Sequence, residues 1–207
     1  YRSSRGLGDV YKRQEEIKKL QEIFSSLNIH AIEEHNLGPT YSVMQIKISK
    51  DEPLLVHYCD FLTTFNHSEL INYLDKGVIV APYFSGFHPA SLGTTNFAYM
   101  IIDSIEEMIN LREKKPFTKN RINEPASTGI YAFPSFKIFF KLSQNLFNNQ
   151  ANCYLKEAYT SLLLNEALDI GYKVKCIKVK NFICLGTPRD YKEYLFWNTC
   201  LLYTSDA

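Results

Sequence analysis

The sequence predicts an α/β protein in which a mostly parallel sheet is flanked by helices. Short apolar segments alternate with segments whose apolar residues recur at helical spacing, and this alternation is typical of βαβ units. The two clearest apolar segments are 53–61 and 78–84. No internal repeat or linker interrupts the pattern, so we expect one domain.

The first half of the chain begins with a predicted amphipathic helix over 15–27, where Ile17, Leu20, Phe24 and Leu27 form one apolar face. A short strand is predicted over 28–33, a helix over 41–48, the strand 53–61, a surface helix over 61–76 and the strand 78–84. Segments 96–103 and 106–112 are predicted to be two strands that bracket a turn.

The second half is predicted in the same way. A strand over 126–133 precedes helices over 134–147 and 154–168, and Gly171 is expected to end the latter as a carboxyl cap. Strict alternation over 172–180 predicts an edge strand with one solvent-exposed face. A closing helix is predicted over 189–197.

Composition is that of an ordinary globular domain. The chain has 207 residues, of which 45% are hydrophobic and 22% charged, and its formal net charge is +1. Such a balance creates no global field toward nucleic acid or an anionic membrane, so any anion site must be local. The aromatic residues follow core spacing, which also disfavours a nucleic-acid-binding module.

Cysteine usage and the length of apolar runs indicate a reducing, cytoplasmic setting. The five cysteines include no C-x-x-C pair, and their odd number argues against a closed disulfide framework. No apolar run reaches the roughly 18 residues needed to span a bilayer, and no charged-then-apolar leader begins the chain. We therefore expect neither membrane insertion nor secretion.

Both ends of the chain resemble translated sequencing-adapter tails. Residues 1–14 and 199–207 have no periodicity that continues into their neighbours. We therefore expect the natural domain to cover 15–198, and we expect the chain to be a fragment of a longer protein.

Asp60 is the first candidate for a functional residue. It ends an apolar strand, and ligands of open α/β sheets bind just beyond the carboxyl ends of the strands. The alternative is that Asp60 starts a turn or caps the helix near Asn66.

Four other features are candidates, each with an ordinary structural alternative. Gly38 lies in a loop before a helix, where a ligand could approach the backbone. His88 lies in a glycine-rich loop, and Gly129 lies inside a strand. Five basic residues fall within ten positions between Arg112 and Arg121, which makes a local anion site. The ordinary alternatives are a turn at Gly38, a stiffened loop at His88, a close backbone contact at Gly129 and a solvated surface loop for the basic residues.

Four segments together resemble one family, the sugar-phosphate nucleotidylyltransferases, also called NDP-sugar pyrophosphorylases. They are Tyr58-Cys59-Asp60-Phe61, Lys114-Lys115-Pro116, Ala126-Ser127-Thr128-Gly129-Ile130-Tyr131-Ala132-Phe133 and Leu185-Gly186-Thr187-Pro188-Arg189-Asp190. The resemblance covers roughly 15–197 and implies a GT-A-like Rossmann-type fold. Two further stretches, Gly86-Phe87-His88-Pro89 and Lys115-Pro116-Phe117-Thr118, resemble a bacterial subgroup associated with surface polysaccharide synthesis.

The resemblance implies transfer of a nucleotidyl group from an NTP to a sugar 1-phosphate, with release of pyrophosphate and with Mg²⁺ as cofactor. Asp60 would be the Mg²⁺ ligand and Lys115 would contact the sugar phosphate. Gly129 would let the sugar lie against the strand, and Gly38 would lie near the nucleobase and ribose. His88 is a further expected substrate-binding residue.

Three departures from the family pattern stand out. The first strand of the fold and its G-x-G-x-R phosphate loop are absent from the 207 residues. Cys184 occupies the position of the second metal-binding Asp. The sugar-binding Glu would fall near Cys153, with Glu157 as a loose substitute. We therefore expect the 207-residue polypeptide itself to be inactive.

Two other classes of protein remain open. In a GT-A glycosyltransferase, Asp60 would belong to the metal-binding acid motif, although no second acid stands at Leu62. A non-catalytic sugar-nucleotide-binding domain is consistent with Cys184.

Overall fold

The computed structural model describes residues 7–89 and 96–204. The chain divides into two compact units, one up to His35 and one from Asn36 onward. The first unit contains helix α1 (Leu7–Ile23), which confirms the predicted helix but starts earlier. Leu20 and Phe24 on its predicted apolar face are exposed. The strand predicted over 28–33 is wrong, because this segment joins no sheet.

The second unit contains the remaining elements. Its helices are α2 (Pro39–Met44), α3 (His67–Asp75), α4 (Phe136–Asn148), α5 (Leu163–Asp169) and α6 (Pro188–Thr204). Its strands are β1 (Leu54–His57), β2 (Phe61–Thr64), β3 (Ile79–Phe84), β4 (Ala98–Ile102), β5 (Met108–Glu113), β6 (Ala126–Ser127), β7 (Ile130–Phe133), β8 (Val174–Lys178) and β9 (Asn181–Cys184). Within residues 7–89 and 96–204, no helix combines the length and apolar character needed to cross a membrane.

The central sheet has seven strands in the order β1-β7-β3-β6-β4-β5, with β8 paired to β3, and helices pack against it. This confirms an α/β fold, but the prediction of a mostly parallel sheet is wrong. Among the described strands, only β3 and β8 pair in parallel. The segment 126–133 supplies β7, which runs opposite to β1 and β3, and β6, which runs opposite to β3 and β4. The strands β4 and β5 also pair antiparallel. Periodicity identifies such a strand but not its direction.

Both faces of the central strand β3 are buried. Its alternate residues Ile79, Ala81 and Tyr83 lie in the main core with α4 and α5. Val80 faces the other way, into a smaller cluster with Leu70 of α3. Burial on both faces explains why this strand is an unbroken apolar run.

Two predicted helices are shorter than expected because other structure takes part of each segment. The segment 61–76 begins with β2, which pairs with β9 in a separate two-stranded sheet. Asn66 then caps α3, since its side chain accepts a hydrogen bond from the Glu69 N–H at 3.2 Å. Of the segment 154–168, only α5 is α-helical, and it follows a 3₁₀ turn over Thr160–Leu162. The Gly171 cap is confirmed by a φ of +87° directly after the helix.

Candidate functional site

A cavity of about 380 Å³ opens between the central sheet and the two-stranded sheet. Its wall combines residues from the turn after β1, from β4 and β5, from 127–131, from the 159–161 segment and from the turn after β9. The lining residues used below are Tyr58, Asp60, Phe61, Phe97, Glu113, Lys114, Ser127, Gly129, Tyr131, Tyr159, Ser161, Phe182, Cys184, Gly186, Thr187 and Asp190.

Asp60 lies in the turn between β1 and β2, three residues beyond the end of β1. Its backbone oxygen accepts a hydrogen bond from the Leu185 N–H at 2.8 Å, which ties this turn to the one after β9. Its carboxylate lies against Gly186, since a Cβ on that glycine would come within 2.8 Å of Oδ2 of Asp60. The absence of a side chain at 186 therefore leaves room for the carboxylate at the cavity.

Gly129 separates β6 from β7 and has a φ of +92°. A Cβ at this position would lie 3.1 Å from Cε1 of Phe61 and 3.3 Å from Cδ2 of Tyr58. The glycine N–H donates to Oγ of Ser127 at 3.1 Å. Only glycine adopts this backbone conformation without strain, and its lack of a side chain lets the Tyr58 and Phe61 rings close on the strand.

Glu113, the last residue of β5, places a buried carboxylate on the cavity wall. The residue is only 8% exposed. Oγ of Ser161 donates a short hydrogen bond to its Oε2 atom. Burial nevertheless raises the pKa of Glu113, and the hydrogen bond from Ser161 opposes this shift. Burial likewise raises the pKa of the neighbouring Tyr58 to about 12 and holds that of Tyr131 well above its ordinary value.

Lys114 is the cation of the cavity wall. Its Nζ atom donates to the hydroxyl of Tyr159 at 2.7 Å and lies 4.3 Å from the centre of the Tyr159 ring and 5.3 Å from that of Tyr154. The pKa of Tyr159 is raised by burial and then by a hydrogen bond with the Glu157 carboxylate. Tyr159 therefore connects the ammonium of Lys114 with the carboxylate of Glu157.

The outer wall is formed by the turn after β9 and the start of α6. Oδ2 of Asp190 accepts hydrogen bonds from the Thr187 hydroxyl at 2.6 Å and from its N–H at 3.0 Å. The thiol of Cys184 lies 3.8 Å from the same oxygen, and burial raises its pKa. In the described part of the chain, no group of three or more His, Cys, Asp or Glu side chains could hold a metal ion.

Two of the residues proposed from the sequence, Asp60 and Gly129, line this cavity together. Lys115 is exposed and outside the lining, whereas its neighbour Lys114 is within it. Glu157 is also outside the lining and is linked to it by its hydrogen bond with Tyr159.

Gly38 and His88 are not among the residues that line the cavity, although His88 contacts two that are, Phe182 and Cys184. A Cβ on Gly38 would lie 2.7 Å from the Ala158 nitrogen, so this glycine permits close backbone packing. His88 packs against the Phe84 and Phe182 rings, and its Nε2 accepts a hydrogen bond from the Cys184 N–H at 3.3 Å. Burial lowers the pKa of His88.

Sequence reasoning missed Glu113, Ser161, Tyr131 and Asp190. One signal was available for Glu113: in β5 the buried positions are Met108, Leu111 and Glu113. A carboxylate where the strand otherwise buries apolar side chains indicates a special role.

The chain has the fold of the nucleotidyltransferases. It is similar to the nucleoside-diphosphate-sugar pyrophosphorylase from Vibrio cholerae RC9, with a TM-score of 0.68 and 16% identity over 90% of this chain and 77% of that one. It is also similar to the inositol-1-phosphate CTP transferase from T. maritima, with a TM-score of 0.50 and 16% identity over 74% of this chain and 58% of that one. No protein-family model and no curated protein matches the sequence. Similarity at this level of identity concerns the fold alone.

Proposed function

We propose that this chain is the part of a sugar-phosphate nucleotidylyltransferase that binds the acceptor, a sugar 1-phosphate. Such an enzyme makes an NDP-sugar from an NTP and a sugar 1-phosphate. The observation that carries the proposal is the joint placement of Asp60, Lys114 and Gly129 on one cavity of a nucleotidyltransferase fold. A carboxylate, an ammonium and a bare stretch of backbone are the groups that a metal ion, a phosphate and a sugar ring respectively require. By the resemblance in sequence, the setting would be bacterial, cytoplasmic and linked to surface polysaccharide synthesis.

Lys114 would hold the phosphate of the acceptor. Its ammonium already points into the cavity wall and is bonded there to a hydroxyl oxygen, which a phosphate oxygen could replace with a stronger, charge-assisted hydrogen bond. The sugar ring would lie in the cavity next to the backbone at Gly129 and the Tyr58 and Phe61 rings, all of which line it. Lys115 stays the candidate from sequence resemblance.

In the reaction, an oxygen of the sugar phosphate attacks the α-phosphorus of the NTP. A new P–O bond forms as the bond to pyrophosphate breaks, and pyrophosphate leaves. The contribution of the chain is to orient the attacking phosphate and to balance its charge, since such transfers depend mainly on positioning and electrostatics.

Asp60 would hold Mg²⁺. Its exposed carboxylate lies on the cavity, and Mg²⁺ commonly binds one or two carboxylates and completes its coordination with water and substrate phosphates. The thiol of Cys184 is a soft ligand and does not suit this ion. When bound, Mg²⁺ would neutralise charge on the phosphates.

A second candidate function is favoured by Cys184, which stands where the family has its second metal-binding Asp. In that case the domain binds a nucleotide sugar without catalysing its formation. Metal dependence separates the two functions.

Titration calorimetry of the 207-residue chain with a panel of NDP-sugars and sugar 1-phosphates, each with and without Mg²⁺, is the direct test. Binding that needs Mg²⁺ supports the transferase, and equal binding without it supports the non-catalytic domain. If no nucleotide sugar or sugar phosphate binds under either condition, both functions are excluded. A pyrophosphate-release assay on the same samples addresses the expectation that this polypeptide is inactive.

Paired lysine variants decide which cation meets the phosphate. We expect Lys114→Met to weaken sugar 1-phosphate binding by about ten- to a hundredfold, because a charge-assisted hydrogen bond is lost. Lys141→Met, an exposed lysine on α4, is the control and should change affinity less than twofold. If Lys115→Met gives the larger loss, the sequence-based assignment holds and the geometric one fails.

A further inference from the structure

The carboxylate of Glu113 has one oxygen that the protein leaves without a partner. Ser161 donates to Oε2, and within residues 7–89 and 96–204 no group donates a hydrogen bond to Oε1. The residue is 8% exposed and lines the cavity. Burying a carboxylate costs free energy unless its oxygens are hydrogen-bonded. Because no fully buried side-chain oxygen among the described residues lacks a partner, Oε1 is accessible from the cavity, where a ligand that supplies a donor would recover part of that cost.

The charge of the wall favours a cationic donor. Its Asp, Glu and Lys side chains are Asp60, Glu113, Asp190 and Lys114, so three carboxylates face one ammonium and the formal charge is −2. That balance is unusual for a site that accepts phosphate groups. Once a phosphate is paired with Lys114, the Glu113 carboxylate has no cation among the described lining residues.

The remaining wall also suits a cation. Six aromatic side chains line the cavity: Tyr58, Phe61, Phe97, Tyr131, Tyr159 and Phe182. The faces of aromatic rings attract ammonium groups, and more strongly where water is excluded. Three of these residues, Tyr58, Tyr131 and Tyr159, lie close enough to Glu113 for its charge to raise their pKa values, so the rings and the carboxylate form one electrostatic environment.

We propose that the acceptor is an amino-sugar 1-phosphate whose ammonium group binds the Glu113 carboxylate. This inference rests on the proposed function and specifies its substrate class. The ammonium donates to Oε1, and the aromatic walls surround it. A neutral hydroxyl at the same position would make a weaker hydrogen bond, and an N-acetyl group would remove the charge and add bulk.

The test compares ligands that differ at one nitrogen. Titration calorimetry at pH 7 uses glucosamine 1-phosphate and 4-amino-4-deoxyglucose 1-phosphate, with glucose 1-phosphate and N-acetylglucosamine 1-phosphate as their neutral counterparts. We expect at least one amino ester to bind about tenfold more tightly than glucose 1-phosphate, the difference typical of a charge-assisted over a neutral hydrogen bond.

Glu113→Gln provides the matched variant. The glutamine keeps the shape and can still accept the Ser161 hydrogen bond but carries no charge, so we expect the variant to bind the amino esters and glucose 1-phosphate with similar affinity, which removes the tenfold preference. Glu52→Gln, at an exposed position before β1, should retain the preference.

The outcomes distinguish a failure of the inferred substrate class from a failure of the proposed function. If both amino esters bind within threefold of glucose 1-phosphate, the inference is overturned while the proposed function stands. If none of the four esters binds, the proposed function fails and the inference fails with it. A preference for the amino esters that survives in Glu113→Gln also overturns the inference. The comparison of the four ligands on the wild-type protein does not depend on this variant, so it tests the inference even if the variant does not fold.

Discussion

The inner and outer walls of the cavity are built in opposite ways. The inner wall comes from the central sheet and its neighbours, and its members Glu113, Tyr131 and Ser161 are all buried. The outer wall comes from the turn before β2, the turn after β9 and the start of α6, and Asp60 and Gly186 are both exposed there. Burial fixes the position of the inner groups at a cost in stability, while exposure leaves the outer groups free to respond to ligands.

The difference in burial means that the two walls differ in how well they tolerate changes in sequence. A substitution in the inner wall alters the core and the site together, because interiors are close-packed. A substitution in the outer wall alters the site with little effect on folding. Four substitutions, one at the junction of the walls and the others within them or beside them, test this contrast.

The largest effect is expected for Gly129→Ala, at the junction of the two walls. The new Cβ would meet the Phe61 and Tyr58 side chains at 3.1 and 3.3 Å, and the φ of +92° is unfavourable for alanine. We expect the free energy of unfolding to fall by about 2–4 kcal/mol, measured by urea denaturation. Gly77→Ala is the control: its φ is +75° but nothing lies within 4 Å of the added Cβ, so it should cost only about 1 kcal/mol. Equal losses would show that packing against the outer wall is unimportant.

A gain in stability is expected for Glu113→Gln. Because burial raises the pKa of Glu113, this group favours folding fully below its ordinary pKa and loses that contribution as the pH rises through the raised value. At pH 7 the neutral glutamine should therefore increase the free energy of unfolding by about 1 kcal/mol. Urea denaturation at several pH values should show the gain shrinking toward acid pH. A variant that is less stable than wild type at pH 7 would contradict the conclusion that burial of the ionised Glu113 carboxylate destabilises the folded protein.

A smaller, pH-dependent effect is expected for His88. Burial lowers its pKa, although the nearby Asp190 and Glu193 carboxylates oppose the shift. Its contribution to stability is present above the ordinary histidine pKa and is lost as the pH falls through the lowered value. Between pH 7.5 and 5.5 we expect wild type to lose about 0.5 kcal/mol more than His88→Gln, which cannot be protonated in this range. His67→Gln, at an exposed histidine, is the control.

The smallest effect on stability is expected for Gly186→Ala in the outer wall. The added methyl would lie 2.8 Å from Oδ2 of Asp60, but an exposed side chain can rotate away, so unfolding should change by less than about 0.5 kcal/mol. The displaced carboxylate should nevertheless weaken the Mg²⁺-dependent part of nucleotide-sugar binding by calorimetry. A loss as large as that of Gly129→Ala would mean that the two walls do not differ.

Much of the fold could be predicted because its strands and helices carry clear periodicity. Segments 78–84, 96–103 and 106–112 were identified as strands, and β3, β4 and β5 occupy them. The direction of 126–133 could not be predicted, because a strand buried on both faces reads the same in either direction. The helix predicted from Phe61 was wrong at its start, since pairing with β9, more than a hundred residues away, outweighs local propensity.

The candidate site divides in the same way. Asp60 and Gly129 could be found because their types are unusual at the end of a strand and inside one. The choice between Lys114 and Lys115 could not be made, because it depends on the φ of +53° at Lys114 and on Tyr159, which only folding brings near. Ser161 could not be predicted, because nothing in its neighbouring sequence marks it and its hydrogen bond with Glu113 forms only in the folded chain.

The pairing of β2 with β9 also has a consequence for how the protein is made. Asn181 bonds to Thr64 across 117 positions of sequence, and contacts that close so long a loop form late in folding. A ribosome would synthesise Asp60 and Glu113 well before the segment that completes the outer wall. The nascent chain would therefore acquire a finished pocket only after β9 has been synthesised, and ligand capture would report that this part of the fold has formed.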